Sequence, residues 1–411
     1  MIRRSIPVFI LLIYWMFQSG LLLAQNFGFR FDHDENRLNI PFLTVNNLIV
    51  VPVTVNDSIR LNFILDTGVK STILTDNSLT DFDLSGCRPV HILGAGGQEE
   101  VVAFVVTNVR FALQGITSSG MNLIVLSEDY LKLQNHLGMD IHGILGYDLF
   151  SQFVVKIDYE RKMISLYDPE TYRPNHKYKR LDMSLFMGRP YIESIVKQND
   201  GSKISANLLI DSGASHSLML ETDSDSNIYV PGKHVNTIVG WGLSGELNGF
   251  MGRIDSLKFA GFGFHEVLCT YTSDYGAGVN ERIPGRKGSI GGELLSRFTI
   301  IFDYSRKELY LKRNSNFRKA FIYNMGGVDL IASGASFKLY KVIHIIPESP
   351  AEKAGLMVND IVLSINGEMI TEMSIQEVNG YFRTRPKSRI RMLILRDQKL
   401  EMITFRLEKL I

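Results

Sequence analysis

Cysteine is scarce in this sequence. Only Cys87 and Cys269 occur in 411 residues, so no disulfide framework holds the fold, and so distant a pair reads as two separate thiols. The nine histidines are scattered and show no pair three or four apart with a third ligand, so neither a metal site nor a cofactor is expected. No Gly-x-Ser-x-Gly elbow occurs, and neither cysteine lies in a nucleophile motif, which leaves serine and cysteine mechanisms without support. An excess of charge of one sign is also missing. Lys and Arg number 44 against 43 Asp and Glu, a formal net charge of +1, and no basic run is interleaved with aromatics. Nucleic acid is therefore not an expected partner.

Long apolar runs are absent except at the start. Arg3 and Arg4 precede an apolar stretch from Val8 to Phe17, then Ser19-Gly20, with a cleavage position near Ala24 or Gln25. That order predicts a secretory signal peptide over residues 1–25. Because Leu21 to Leu23 resume the apolar character, a retained signal anchor is the alternative. Export to the periplasm or the extracellular space is expected, with membrane attachment only if the segment is kept. No integral span is expected once it is removed. A removable pro-segment from Asn26 to Ile40 is left open.

What is present is ordinary globular composition, 45% apolar and 21% charged, in a chain too long for one core. It is also internally duplicated. Gly143 to Lys162 (GILGYDLFSQFVVKIDYERK) repeats as Gly288 to Lys307 (GSIGGELLSRFTIIFDYSRK), an offset of 145 residues that also places Asp66 on Asp211. Two lobes of similar fold follow, residues 26–174 and 175–318. Segments such as Leu48 to Val55 and Arg60 to Leu65 are rich in β-branched residues between Gly, Asn and Asp turns, so each lobe is a small β-barrel or sandwich with little helix.

Both aspartates end an apolar strand and enter a glycine turn, Asp66-Thr67-Gly68 and Asp211-Ser212-Gly213. A rigid strand presents each carboxylate and glycine permits the turn. The hydroxyls of Thr67 and Ser212 are expected to bond backbone across the lobe interface. One such triplet is usually a surface turn. Two at the repeat offset, each behind an apolar strand, point to a paired site.

These paired turns resemble the active site of aspartic peptidases. Ile144-Leu145-Gly146 and Ile290-Gly291-Gly292 resemble that family's apolar-apolar-Gly loop behind each turn. The short lobes and Ala214 are similar to bacterial retropepsin-like proteins with two lobes fused in one chain. The resemblance implies a mainly β, two-lobed β-barrel pseudo-dimer. It makes Asp66 and Asp211 the catalytic pair, supported by Thr67, Gly68, Ser212 and Gly213, and gives a polypeptide substrate. Two neighbouring carboxyls cannot both ionise and hold one proton between them. Val69 and Ala214 stand where pepsin-like members carry a hydroxyl, which predicts a mildly acidic to near-neutral optimum. Gly94 and Gly96 in the first lobe, and Gly240, Trp241 and Gly242 in the second, mark a pair of hairpin flaps. His216 reads as structural. The rival reading is a non-catalytic peptide-binding protein that keeps the fold.

From about Tyr323 the repeat no longer applies. Val342 to Leu356 followed by Asn359 to Gly367 resembles the core of bacterial PDZ domains, and an α+β domain over residues 319–411 is expected. Pro350 and Gly355 fit the start and end of its first helix. The resemblance implies strand addition of a peptide C-terminus, with Gly326, Gly327 and Val328 in the carboxylate loop. Val378 lies on the helix Ile375 to Phe382 that walls the groove.

Overall fold

The computed structural model describes residues 28–80, 82–96, 100–273 and 285–411. The predicted signal peptide lies outside the described residues. The described residues are mainly β: two duplicated lobes are followed by a smaller α+β domain. No helix among the described residues is long and apolar enough to cross a membrane.

Each lobe is built on a strand that ends at an aspartate. In the first, Leu48–Val55 and Ile59–Leu65 pair antiparallel through Asn56 and Asp57, both at positive φ, as a tight hairpin requires. Ile59–Leu65 then receives Gly143–Leu145 in parallel, and that strand also pairs antiparallel with Ile73–Leu74. The second lobe repeats the arrangement: Lys203–Ile210 pairs in parallel with Arg286–Ile290, which pairs antiparallel with Leu218–Glu221. Ile64, Leu65, Leu209 and Ile210 are buried, since these strands are covered on both faces.

The lobes share a six-stranded sheet. Arg37–Pro41, Met163–Tyr167 and Val154–Asp158 come from the first lobe, and Phe298–Asp303, Glu308–Arg313 and Lys179–Asp182 from the second. The seam joins Val154–Asp158 to Phe298–Asp303, the two copies of the repeated segment. Their hairpins match in detail. Asp158 accepts from the Arg161 amide at 3.1 Å and Asp303 from the Arg306 amide at 3.0 Å, and Lys162 and Lys307 both take positive φ. Gly28–Phe31 and Arg37–Pro41 are paired strands, which makes them part of the folded first lobe.

Phe317 and Phe321 lead out of the second lobe against Phe264 and Phe298, and the Arg297 guanidinium lies 3.7 Å from the Phe321 ring centroid. Ring pairs of this kind add about 0.5–1.5 kcal/mol each beyond burial. They lead into the C-terminal domain. Its sheet runs Val328–Ser333, Leu339–Ile345, Ile361–Ile365, Arg389–Arg396 and Lys399–Arg406, so Val328–Ser333 is an edge strand. The helix Ile375–Tyr381, opened by a Ser374/Glu377 capping box, packs beside it.

Candidate active site

The two glycine turns meet at the lobe interface. Thr67 Oγ1 donates to the Ile210 carbonyl at 2.6 Å and accepts from the Ser212 amide at 3.0 Å. Ser212 Oγ donates to the Leu65 carbonyl at 2.9 Å and accepts from the Thr67 amide at 3.1 Å. Both hydroxyl residues are fully buried, and their four reciprocal bonds lock the turns face to face.

The carboxyls of Asp66 and Asp211 are buried and hydrogen-bonded to each other. Gly68 donates to Asp66 Oδ1 at 2.6 Å and Gly213 to Asp211 Oδ1 at 3.0 Å. Neither glycine takes the positive φ that would demand it. They are needed for room: a Cβ on Gly213 would fall 2.2 Å from the Asp66 carboxyl carbon, and one on Gly68 would fall 3.0 Å from that of Asp211.

Burial, and then the charge of Asp211, hold Asp66 well above the ordinary carboxylate range. Asp211 is raised by burial too. The hydrogen bond from Asp66, the positive charge of Arg286, and the amides of Gly213 and Ala214 pull it the other way. The pair is thus set to retain a proton at a pH where ordinary carboxylates have lost theirs.

Behind the turns pass the expected apolar-Gly stretches. A Cβ on Gly146 would lie 2.5 Å from the Val69 carbonyl oxygen, and one on Gly291 would lie 2.4 Å from that of His216. Thr72 Oγ1 donates to Asp148 Oδ2 at 2.6 Å, and Ser217 Oγ to Glu293 Oε2 at 2.5 Å. These two bridges tie each turn segment to the short helices Tyr147–Phe150 and Gly292–Leu295. Sequence alone did not single out these four residues, although the repeat offset pairs them. His216 is buried, and its Nε2 lies 2.9 Å from Ser289 Oγ. Burial pushes its pKa down to about 4, so it is neutral and structural.

Above the dyad lies a cavity of about 890 Å³. Gly94, Gly240, Trp241 and Gly242 line it, at the ends of the hairpins Arg88–Ile92/Val101–Leu113 and His234–Gly242/Gly245–Phe259. The tips of the two hairpins touch: Gly94 N donates to Ser244 Oγ and Ser244 N to the Ala95 carbonyl, both at 3.1 Å. Gly96 completes this meeting at φ +102°, and a Cβ there would fall 2.1 Å from the Gly245 carbonyl oxygen.

The PDZ groove differs from expectation. The amides of Gly326 and Gly327 both donate to Asn324 Oδ1, at 3.0 and 3.1 Å, so the loop bonds itself rather than presenting them to a carboxylate. Val328 and Val378 are fully buried in the domain core instead of lining the groove. The outer edge of Val328–Ser333 is capped as well. Asn324 Nδ2 donates to the Val328 carbonyl at 2.6 Å, and Asn135 Nδ2 of the first lobe donates to the Ala332 carbonyl at 2.9 Å. Gly138, the αL cap of the helix Leu133–Leu137, sits against Ala332 and Ile375, between edge strand and groove helix. A first-lobe helix therefore fills this part of the groove. Its His136 ring lies 4.2 Å from that of Trp241 on the second-lobe hairpin.

Removing the Asn135 amide tests that bridge. Asn135→Ala should weaken docking of the PDZ domain on the first lobe by about 1 kcal/mol. Trp241 is the sole tryptophan of a chain begun at residue 26, so the expected readout is a red shift of its emission. An unchanged spectrum would mean that the helix does not couple groove and flap.

Comparison with known proteins adds the family context. Residues 51–149 match the family model described as aspartyl protease, and residues 342–396 match that of the PDZ domain. The first match covers the Asp66 turn; the second lobe is tied to it by the internal repeat. No curated protein matches the chain. Among solved structures, an aspartic proteinase from Irpex lacteus is similar at 16% identity and a TM-score of 0.44, over 69% of this chain and 99% of that one.

Proposed function

We propose that this chain, which carries an aspartyl-protease domain and a PDZ domain, is an endopeptidase in which Asp66 and Asp211 activate water against a peptide bond. The observation that carries the reading is the buried, mutually hydrogen-bonded carboxyl pair at the floor of a cleft roofed by two meeting flaps. The ionised member of the pair takes a proton from water as the oxygen attacks the scissile carbonyl, and the protonated member donates to the carbonyl oxygen. A tetrahedral diol forms without a covalent enzyme intermediate. Its collapse breaks the C–N bond, and the dyad returns a proton to the leaving amine. An extended segment of polypeptide suits the cleft, because flaps and floor are both strand elements able to bond its backbone.

Val69 and Ala214 bring no hydroxyl to the dyad, and burial raises both carboxyls. The singly protonated window therefore moves upward in pH. Cleavage of an unfolded protein by the chain from residue 26, assayed from about pH 3 to 8, should peak in the mildly acidic to near-neutral range. A maximum below about pH 3.5, under an unperturbed Asp pKa, would contradict the raised pair. Inertness at every pH would favour a peptide-binding protein that keeps the fold.

A further inference from the structure

The repeat makes the two ends of the cleft comparable, and their chemistry differs. In each lobe a hairpin tip crosses to the other lobe's turn. Asn46-Asn47 precedes Leu48, and Asn47 Nδ2 donates to the Ser215 carbonyl at 3.4 Å. Met187-Gly188 precedes Arg189, and a Cβ on Gly188 would meet the Tyr147 ring at 2.6 Å. The Tyr147 amide in turn donates to the Val69 carbonyl, next to Lys70. Lys70 is the repeat counterpart of Ser215, 145 residues away. One end of the cleft thus carries Leu48 and Ser215, and the other Arg189 and Lys70; all four line the dyad cavity.

The first end is apolar, since Leu48 clusters with Leu137 and Ile141. The second is basic. Arg189 Nε is buried with no hydrogen-bond partner, and among the described residues neither Arg189 nor Lys70 forms an ion pair. A buried guanidinium N–H without an acceptor is costly, and a carboxylate is the group whose geometry matches it. The charge of Arg189 is also felt at Asp66, which it favours in the ionised form.

We infer that Arg189 and Lys70 form a subsite for an acidic side chain, so that the preferred substrate is a polypeptide with Asp or Glu close to the scissile bond. This rests on the endopeptidase reading above and names the substrate class of the same site. The apolar end takes an aliphatic or aromatic side chain on the other flank.

Matched peptides test it, identical except for Glu, Gln or Lys at each of the three positions on either side of one cleaved bond. At one of these positions the wild-type chain should cleave the Glu peptide with kcat/KM about 10- to 100-fold higher. Arg189→Leu should bring that ratio close to one, and Arg189→Glu should reverse it in favour of Lys. Because the readout is a ratio within each variant, it does not depend on overall rate. If the Arg189 variants fail to fold, the exposed Lys70→Gln should still lower the ratio several-fold. Equal cleavage of Glu and Gln peptides at every position would overturn the subsite while leaving the endopeptidase intact. A wild-type ratio that persists in all folded variants would overturn it as well. Failure to cleave any peptide, or any unfolded protein, would instead overturn the endopeptidase reading on which it stands.

Discussion

Asp66→Asn and Asp211→Asn should each reduce peptide-bond cleavage by at least about 10³-fold, with the fold intact. An amide can neither take the proton from water nor share one with its partner. Both substitutions are nearly isosteric, and the amides of Gly68 and Gly213 can still donate to the side-chain oxygen. Stability should move in the opposite direction. A carboxyl whose folded pKa is raised contributes stability below its unfolded pKa and loses it as pH rises through the folded value. Burial raises both aspartates, so the native pair weakens the fold increasingly from about pH 4 upward. Each Asn variant should therefore melt at a higher temperature than the native chain at pH 7, with the difference shrinking toward pH 4. Residual activity within tenfold of native in either variant would remove the dyad from the chemistry.

Thr67→Val should be the most damaging conservative change at the lobe interface. It keeps shape but strips the Ile210 carbonyl of its donor and the Ser212 amide of its acceptor, both in a fully buried site. Two orphaned backbone groups at about 1–3 kcal/mol each imply a loss of about 2–6 kcal/mol. That corresponds to a melting temperature lower by roughly 5–25 °C for lobes of this size. The loss should carry activity with it, because the same bonds hold the carboxyls in register. Thr67→Ser should rescue both, since the second lobe performs the reciprocal task with a serine. Equal melting of Thr67→Val and the native chain would show that the reciprocal bonds do not carry the interface.

The repeat offset carried the most information in the sequence. It aligns Asp66 with Asp211 by residue number alone, and the same offset pairs Thr67 with Ser212 in the reciprocal bonds. The glycines of both turns were legible as needed, but for a different reason: steric room beside a carboxyl, not left-handed backbone. That distinction depends on which atoms of the opposite lobe stand there, and no local pattern encodes it. The flap glycines were legible as hairpin tips, while their mutual contact through Ser244 was not.

Local chemistry determined the strands, the hairpins at Asn56-Asp57 and Asp158 to Lys162, and the PDZ helix starts, since turn and capping preferences act within a few residues. Tertiary structure alone decided three things. It placed Arg189 of the second lobe and Lys70 of the first on the wall of one cavity, although the two residues are far apart in sequence. It turned Val378 into the core and bonded Gly326 and Gly327 to Asn324. It also laid the helix Leu133–Leu137 against the PDZ edge through Asn135 and Gly138. Each of these depends on surfaces meeting across domains, where the partner of a polar group is set by packing distance and not by its neighbours in the chain.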